Sequence, residues 1–349
     1  MTTIGILLDH RTYRRLQSGR TGNERVKLYN KAARRLGLKL MYMSLAGIHL
    51  QSGKATGFSR KDHHYAKTTR LIPKVIHNRT FPQGGIERRR LRSLSHRSYV
   101  FNSQNRYPKY RIHRLLQRDP WLRQHLPPSQ AYSRQSLRRM MEIYDTIYIK
   151  PQRGSVGRGI MRIRRVKGGL WSIRTLRGSK ILNKKAIYRK VQQNVGDQLY
   201  MIQKGIDLAT YQGRPYDIRV SVQRGQRGKW QITGMVGKVA RRGSHVTNVA
   251  KGGTVKRCEL LFRHSRLPVH ATRAKVAGVS LQFANYIGRR LYRLADIGLD
   301  IGLSRDGKPY FIEMNCRDQR YSFAKAGLSV AFYRTYETPL RYAAYLARR

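Results

Sequence analysis

A chain that sets 73 lysines and arginines against 17 aspartates and glutamates, a formal net charge of +56, repels itself in any compact form. It folds only if apolar burial outweighs that repulsion. The material is present: 40% of the 349 residues are hydrophobic and 9% aromatic, which excludes a disordered polycation and suits two or three packed units. No stretch reaches the ~18 consecutive apolar residues of a membrane helix. Residues 1–8 are too short, and too soon followed by Asp9, His10 and Arg11, for a signal peptide, so the cytoplasm is the expected compartment. The two cysteines, Cys258 and Cys316, exclude a disulfide framework and a cysteine-only zinc site. Arginine outnumbers lysine 51 to 22, and its planar fork suits carboxylates and phosphates. The basic residues run through the whole chain rather than forming one arm. The charge therefore fits a polyanionic partner or a merely basic surface, and nucleic acid is a candidate partner but not the favoured one. Against this background carboxylates are informative, and Asp296, Asp300, Glu313 and Asp318 fall within 23 residues near the carboxyl end.

Hydrophobic periodicity gives the organisation. Residues 3–8 form a short apolar run, Val26, Leu28, Tyr29, Ala32, Ala33 and Leu36 are spaced for a helix closed by Gly37, and 38–44 is a second apolar run. Strand, helix, strand in this order predicts an α/β unit with parallel strands, with 53–70 as a hairpin or loop and a first domain ending near residue 95. Beyond it the pattern predicts helices over 107–117, 133–143 and 183–193. Strands are expected at 146–150, 159–163, 170–176, 199–203, 217–223 and 230–237. A long helix at 272–292, strands at 294–303 and 308–313, and a closing helix at 331–346 complete the chain.

Lys150-Pro151-Gln152-Arg153-Gly154-Ser155-Val156-Gly157-Arg158-Gly159 stands between two of these strands. Its glycines let backbone amides turn toward an anion, so the loop suits a phosphate as well as an ordinary hairpin. A P-loop or dinucleotide fingerprint does not fit, because each would open a helix. Near the carboxyl end, Asp300-Ile301-Gly302 and Phe311-Ile312-Glu313-Met314-Asn315 alternate like neighbouring half-buried strands joined by Ser304-Arg305-Asp306-Gly307. Asp300, Glu313 and Asn315 then share a face, as hard oxygen donors for Mg²⁺ shared with substrate phosphates or as partners of nearby arginines. Between these segments lie Asp217-Ile218-Arg219, Lys238 and Thr247-Asn248-Val249-Ala250-Lys251-Gly252-Gly253. Acids and cations on facing strands can hold a triphosphate and leave an arginine for a transferring phosphoryl group.

In their order along the chain, Lys109, Lys150 with its glycine loop, Gln203-Lys204-Gly205-Ile206, Asp217-Ile218-Arg219, Asn248 with Gly252-Gly253, Asp300 and Glu313-Met314-Asn315 resemble the ATP-grasp superfamily over 100–320. Within it the chain resembles the YheC/YheD-like, endospore coat-associated branch, and is similar more distantly to glutathione synthetase and the ribosomal-protein glutamate ligases. The resemblance implies an α/β (α+β) ATP-grasp fold. Residues 1–95 would be its pre-ATP-grasp domain and 96–349 its ATP-grasp domain, with 96–205 carrying the glycine lid and 206–349 the metal, phosphate and acceptor side. Lys109 and Lys150 would contact nucleotide phosphates, and Gly154, Ser155, Val156, Gly157 and Gly159 would close over them. Gln203, Lys204 and Ile206 would form the hinge that reads adenine through backbone bonds, with Asp217 also at the nucleotide. Asp300, Glu313 and Asn315 would hold two Mg²⁺ ions, with Mn²⁺ as an alternative, while Arg219 and Asn248 would stabilise the phosphoryl group. Lys238 stands where related sequences often carry arginine and lacks the bidentate fork. Cys316-Arg317-Asp318-Gln319-Arg320 replaces the small-residue and proline context common in the superfamily, which reshapes the acceptor side.

The implied reaction uses ATP to phosphorylate a carboxylate, after which an amine displaces phosphate to give an amide or peptide bond and ADP. It needs positioning and charge neutralisation but no protein nucleophile. His63, His64 and His245 are accordingly expected at the surface or in loops, and the cysteines in packing. The charge points to a Glu- or Asp-rich peptide, a protein tail or an amino acid as substrate. The alternative is a structural or binding protein of a spore layer or nucleoprotein assembly that keeps the fold and ATP without ligation.

Overall fold

The computed structural model describes residues 1–349 apart from His63, Ser155, Val156, His245 and Asn248. Among the described residues the strands form three six-stranded sheets. The first contains β1 (Thr3–Leu7), β2 (Lys39–His49), β3 (Lys54–Lys61), β4 (His64–Leu71), β5 (Val75–Asn78) and β6 (Tyr99–Phe101), in the order β4-β3-β2-β1-β5-β6. β1 runs parallel to β2 and β5, as strand, helix, strand predicts, and 53–70 is the β3–β4 hairpin. Helix Val26–Arg35 buries Val26, Tyr29, Ala32 and Ala33 against one face of this sheet.

Helix Gly85–Arg97 covers the opposite face through Leu91 and Leu94. Periodicity does not reveal it, because five arginines, two serines and a histidine leave too few apolar positions to define a stripe. The closing helix, Ser329–Ala347, returns to the amino-terminal layer, where Tyr336, Leu340 and Ala343 pack among Ile4, Ile6 and Tyr29. The last residues of the chain thus complete its first core.

The second sheet contains β7 (Ser129–Ala131), β8 (Thr146–Pro151), β9 (Met161–Arg165), β10 (Trp171–Thr175), β11 (Gly178–Leu182) and β12 (Tyr200–Lys204), ordered β11-β10-β9-β8-β12-β7. Helices Arg134–Ile143 and Lys184–Val195 pack on it, their first turns capped by Ser133 and Asn183. The third sheet contains β13 (Thr210–Tyr211), β14 (Arg214–Arg224), β15 (Trp230–Val239), β16 (Thr254–Lys256), β17 (Asp296–Leu303) and β18 (Pro309–Asn315), with β14 between β15 and β17.

Period-2 alternation places Ile218, Val220 and Val222 of β14 with Ile297, Leu299 and Ile301 of β17 in one core beneath helix Val269–Arg290. The other face of the same two strands is polar and also buried. Opposite Asp217, Arg219, Ser221 and Gln223 stand Gly302, Asp300, Gly298 and Asp296. This polar row positions the site.

Its far end ties the third sheet to the first. Asp296 accepts hydrogen bonds from Arg320 Nη2 at 2.6 Å and Arg79 Nη1 at 3.3 Å, and lies 3.1 Å from His77 Nε2, while Arg79 also reaches Glu24 at 3.1 Å. Burial lowers the His77 pKa to about 4, although Asp296 opposes the shift. A histidine depressed in the folded state adds stability fully above its unfolded pKa of ~6.5, and loses it as pH falls toward 4. Denaturant unfolding between pH 7 and pH 4 is expected to show a loss of up to about 3 kcal/mol from this group. His77→Gln should flatten that window; an unchanged slope would remove His77 as its cause.

Candidate active site

The polar row opens into a cleft of about 1420 Å³ lined by strands of the second and third sheets, by helix Gly85–Arg97 and by the segments that follow β5 and β6. On its floor Arg219 grips Asp300 with two bonds, Nε to Oδ1 at 2.7 Å and Nη2 to Oδ2 at 3.2 Å. Lys238, opposite Asp217 on β15, lies 3.1 Å from Asp217 and 2.9 Å from Asp300, and Thr247 donates to Asp217 Oδ2. Burial pushes the Asp217 carboxyl up to about 6, against the pull of Lys238 and with the nearby Asp300 charge adding to the rise. Burial also opposes ionisation of Asp300, but Arg219 and Lys238 together hold its carboxyl well below the usual range. The floor is thus an interlocked set of opposite charges.

The opposite wall is the end of the second sheet. Lys150, next to last in β8, donates to Gln203 Oε1 at 2.6 Å, while Gln203 Nε2 donates to Ser129 Oγ at 3.0 Å. Burial, with Lys109 beside it, lowers the Lys150 ammonium to about 8, although Glu313 opposes. Lys109 starts helix Lys109–Leu116 and reaches Gly154 O at 3.1 Å and Glu313 Oε2 at 3.4 Å, so it bridges the glycine loop and the carboxyl-terminal strand.

The loop joins antiparallel β8 and β9, as expected, and Gly159 adopts φ +73° where a side chain would collide with Pro151 and the Tyr200 hydroxyl. Of the expected lid and phosphoryl residues, Ser155, Val156 and Asn248 lie outside the described residues, as do His63 and His245. In the hinge, Lys204 N–H donates to Pro128 O and Gly205 N–H to Thr146 O, both at 2.8 Å. These two amides are committed to the protein and are not open to a ligand.

Glu313 stands opposite Asp300 across β17 and β18, and the Asn315 amide lies 3.4 Å from both carboxylates. Among the described residues no three His, Cys, Asp or Glu side chains gather into a metal cage. Two carboxylates and an amide are the donor set of a Mg²⁺ that takes its remaining ligands from phosphates and water, so the residues fit that ion. Glu313 and Asn315 are the open part of this set, since Asp300 already carries two cations.

Asp318, Ser221 and Gly298 lie outside the sequence-derived site. Asp318, fully buried, accepts from Arg219 Nη1 at 3.1 Å and from the Ser221 hydroxyl, which fixes the guanidinium from its second side. A Cβ at Gly298 would run into that carboxylate. The signal was the run Asp296-Ile297-Gly298-Leu299-Asp300-Ile301-Gly302, where acid and glycine alternate along one strand face. Cys258 and Cys316 are both buried thiols, and exposed His64 begins β4.

A glycine-looped antiparallel sheet facing a second sheet across a cleft, with basic residues on one side and paired carboxylates on the other, defines this as an ATP-grasp protein. The chain belongs to the YheC/D-like ATP-grasp family, whose profile matches residues 97–346. It is 25% identical over 315 residues to the endospore coat-associated protein YheD of Bacillus subtilis (strain 168), covering 86% of this chain and 69% of that one. Endospore coat-associated protein YheC of the same organism is 23% identical over 184 residues, 51% of this chain and 50% of that one.

The fold is similar to D-cycloserine synthetase DcsG, with a TM-score of 0.57 and 10% identity over 97% of this chain and 99% of that one. It is also similar to the ATP-grasp ligase PsnB complexed with a phosphomimetic variant of its minimal precursor, Mg and ADP, with a TM-score of 0.55 and 14% identity over 100% and 99%. The expected α+β ATP-grasp fold and YheC/YheD-like branch are both borne out. Among the described residues no helix is long and apolar enough to cross a membrane.

Proposed function

We propose that the protein is an ATP-dependent carboxylate-amine ligase that forms an amide or peptide bond through an acyl-phosphate. One observation carries the reading: Arg219, Lys238, Asp300 and Glu313 face Lys109 and Lys150 across a single cleft, bringing phosphate-binding cations and oxygen donors together. Neighbours of the same fold are ligases. In this reading Lys109 and Lys150 hold the phosphates of ATP, and the lid Gly154, Ser155, Val156, Gly157 and Gly159 excludes water above them. Gln203, Lys204 and Ile206 flank the base, and Asp217 holds Lys238 in place. Arg219 neutralises the transferring phosphoryl group, with Lys238 and Asn248 beside it. Glu313, Asn315 and Asp300 hold Mg²⁺, two ions or Mn²⁺ in its place, and the metal supplies charge neutralisation at the phosphates. The substrate carboxylate attacks the γ-phosphorus and releases ADP; the amine then attacks the acyl carbon, releases phosphate and gives up a proton.

The substrate in this reading is an acidic peptide, protein tail or amino acid, handled in the cytoplasm and at the endospore coat, with which both sequence relatives are associated by name. A second reading, a coat or polyanion-binding scaffold that retains ATP without turnover, draws on the ion pairs that already occupy Asp217 and Asp300. The test is ADP and phosphate release from Mg²⁺-ATP, screened across amino acids with and without a glutamate-rich peptide, with mass spectrometry of the products. Release tied to one pairing, with a product equal to both partners less water, is expected. ATP binding with no turnover under any pairing would overturn the ligase in favour of the scaffold.

A further inference from the structure

The half of the cleft away from the nucleotide side carries basic side chains on a helix that no carboxylate of the cleft lining pairs with. Among its described lining residues the carboxylates are Asp217, Asp300 and Glu313, all at the catalytic end. The other half is bordered by helix Gly85–Arg97, which turns Arg88, Leu91, Arg92, Ser95 and His96 toward it, one face of a helix at steps of three and four. Arg88, Arg92 and His96 are exposed, and none of the ion pairs among the described residues includes them. Arg106, Arg317 and Lys325 also line the cleft, and of these Arg317 is paired with Asp9 at 3.0 Å.

We propose that this helix face is a docking track for an extended acidic peptide carrying carboxylates at alternate residues. Its place beside the acceptor end rests on the ligase reading. The spacing selects the ligand: four residues of helix advance about 6 Å, while side chains on one side of an extended chain recur every ~6.6 Å. Arg88, Arg92 and His96 therefore meet three successive same-side carboxylates, a mismatch of under about 1 Å per step that long arginine side chains absorb. A peptide is favoured over a nucleic acid by the state of the aromatic rings here. Arg106 and Arg317 lie 4.7 and 4.9 Å from the Phe81 ring centre, Lys325 lies 5.5 Å from that of Tyr321, and Arg293 lies 4.7 Å from that of Tyr292. Single-stranded nucleic acid is held by open aromatic faces on which bases stack, and these rings already carry cations.

The test is direct binding to the full chain without ATP, by fluorescence anisotropy, at about 0.3 M salt to screen the diffuse attraction of the surface. The probes are a labelled (Glu-Gly)₆ peptide, an isomer with its glutamates in one block, and an oligodeoxythymidylate of equal charge. The alternating peptide is expected to bind about tenfold tighter than its isomer. The double substitution Arg88→Ala and Arg92→Ala, at exposed positions, should erase that preference and leave ATP binding unchanged. Equal affinity for the two peptides, or a preference that survives the double substitution, would overturn the track. So would tighter binding of the oligonucleotide with the same loss in the variant. ADP release indifferent to Arg88 and Arg92 would leave the ligase standing without the track, whereas track-dependent binding with no ADP release under any pairing would do the reverse.

Discussion

Glu313→Ala is expected to give a folded protein that releases no measurable ADP, a loss on the order of 10³-fold or more. The side chain is 30% exposed and its polar partners are Lys109 at 3.4 Å and the Asn315 amide at 3.4 Å, so truncation costs under about 1 kcal/mol of stability. It nonetheless removes the carboxylate least committed to the protein in the proposed metal set, so that Mg²⁺ would be left with Asp300 and Asn315 as its protein ligands. Circular dichroism and the denaturant midpoint should match the parent while ADP release disappears. Retained turnover would remove Glu313, and with it the proposed metal set, from the reaction.

Arg219→Met should behave differently, losing both turnover and stability. Its guanidinium is buried, doubly bonded to Asp300 and bonded to Asp318 at 3.1 Å, and burial is outweighed by those two carboxylates in setting its charge. Without it, Asp318 retains only the Ser221 hydroxyl among its described side-chain partners and Asp300 leans on Lys238. Removing one member of a buried ionic set costs about 3–5 kcal/mol, readable as a lower urea midpoint. Arg219→Lys restores charge without the fork and should recover part of the stability but little turnover. A midpoint unchanged in the methionine variant would mean that this network does not hold the floor of the cleft together. The pair of variants thus separates an open metal-side carboxylate from a cation that serves both fold and chemistry.

Much of this arrangement was legible beforehand, and particular residues show why. Asp217 and Arg219, or Glu313 and Asn315, sit two apart, so a strand places each pair on one face whatever the rest of the chain does. The glycine loop between 150 and 159 declares a hairpin because several of its residues need positive φ. Helix Gly85–Arg97 was hidden for the opposite reason: its buried face is two leucines wide, and those leucines pack on a sheet whose middle strands, with Leu7, Met41 and Met43, come from the start of the chain. Asp318 was visible as one of the clustered acids, but its bond to Arg219 crosses 99 residues and no spacing rule reaches that far.

From its sequence alone this chain was bound to build α/β layers, to fold despite +56 charges, and to bring a phosphate-suited loop and a carboxylate-bearing strand pair into an ATP-grasp order, because hydrophobic period and local turn chemistry act over a few residues. Tertiary structure alone decided that Lys238 locks onto Asp217 and Asp300, that the last helix completes the first core, and that a polar helix face borders the cleft. Those outcomes depend on register and on which faces meet, and charge pairing is settled only when strands from distant parts of the chain are a few ångströms apart.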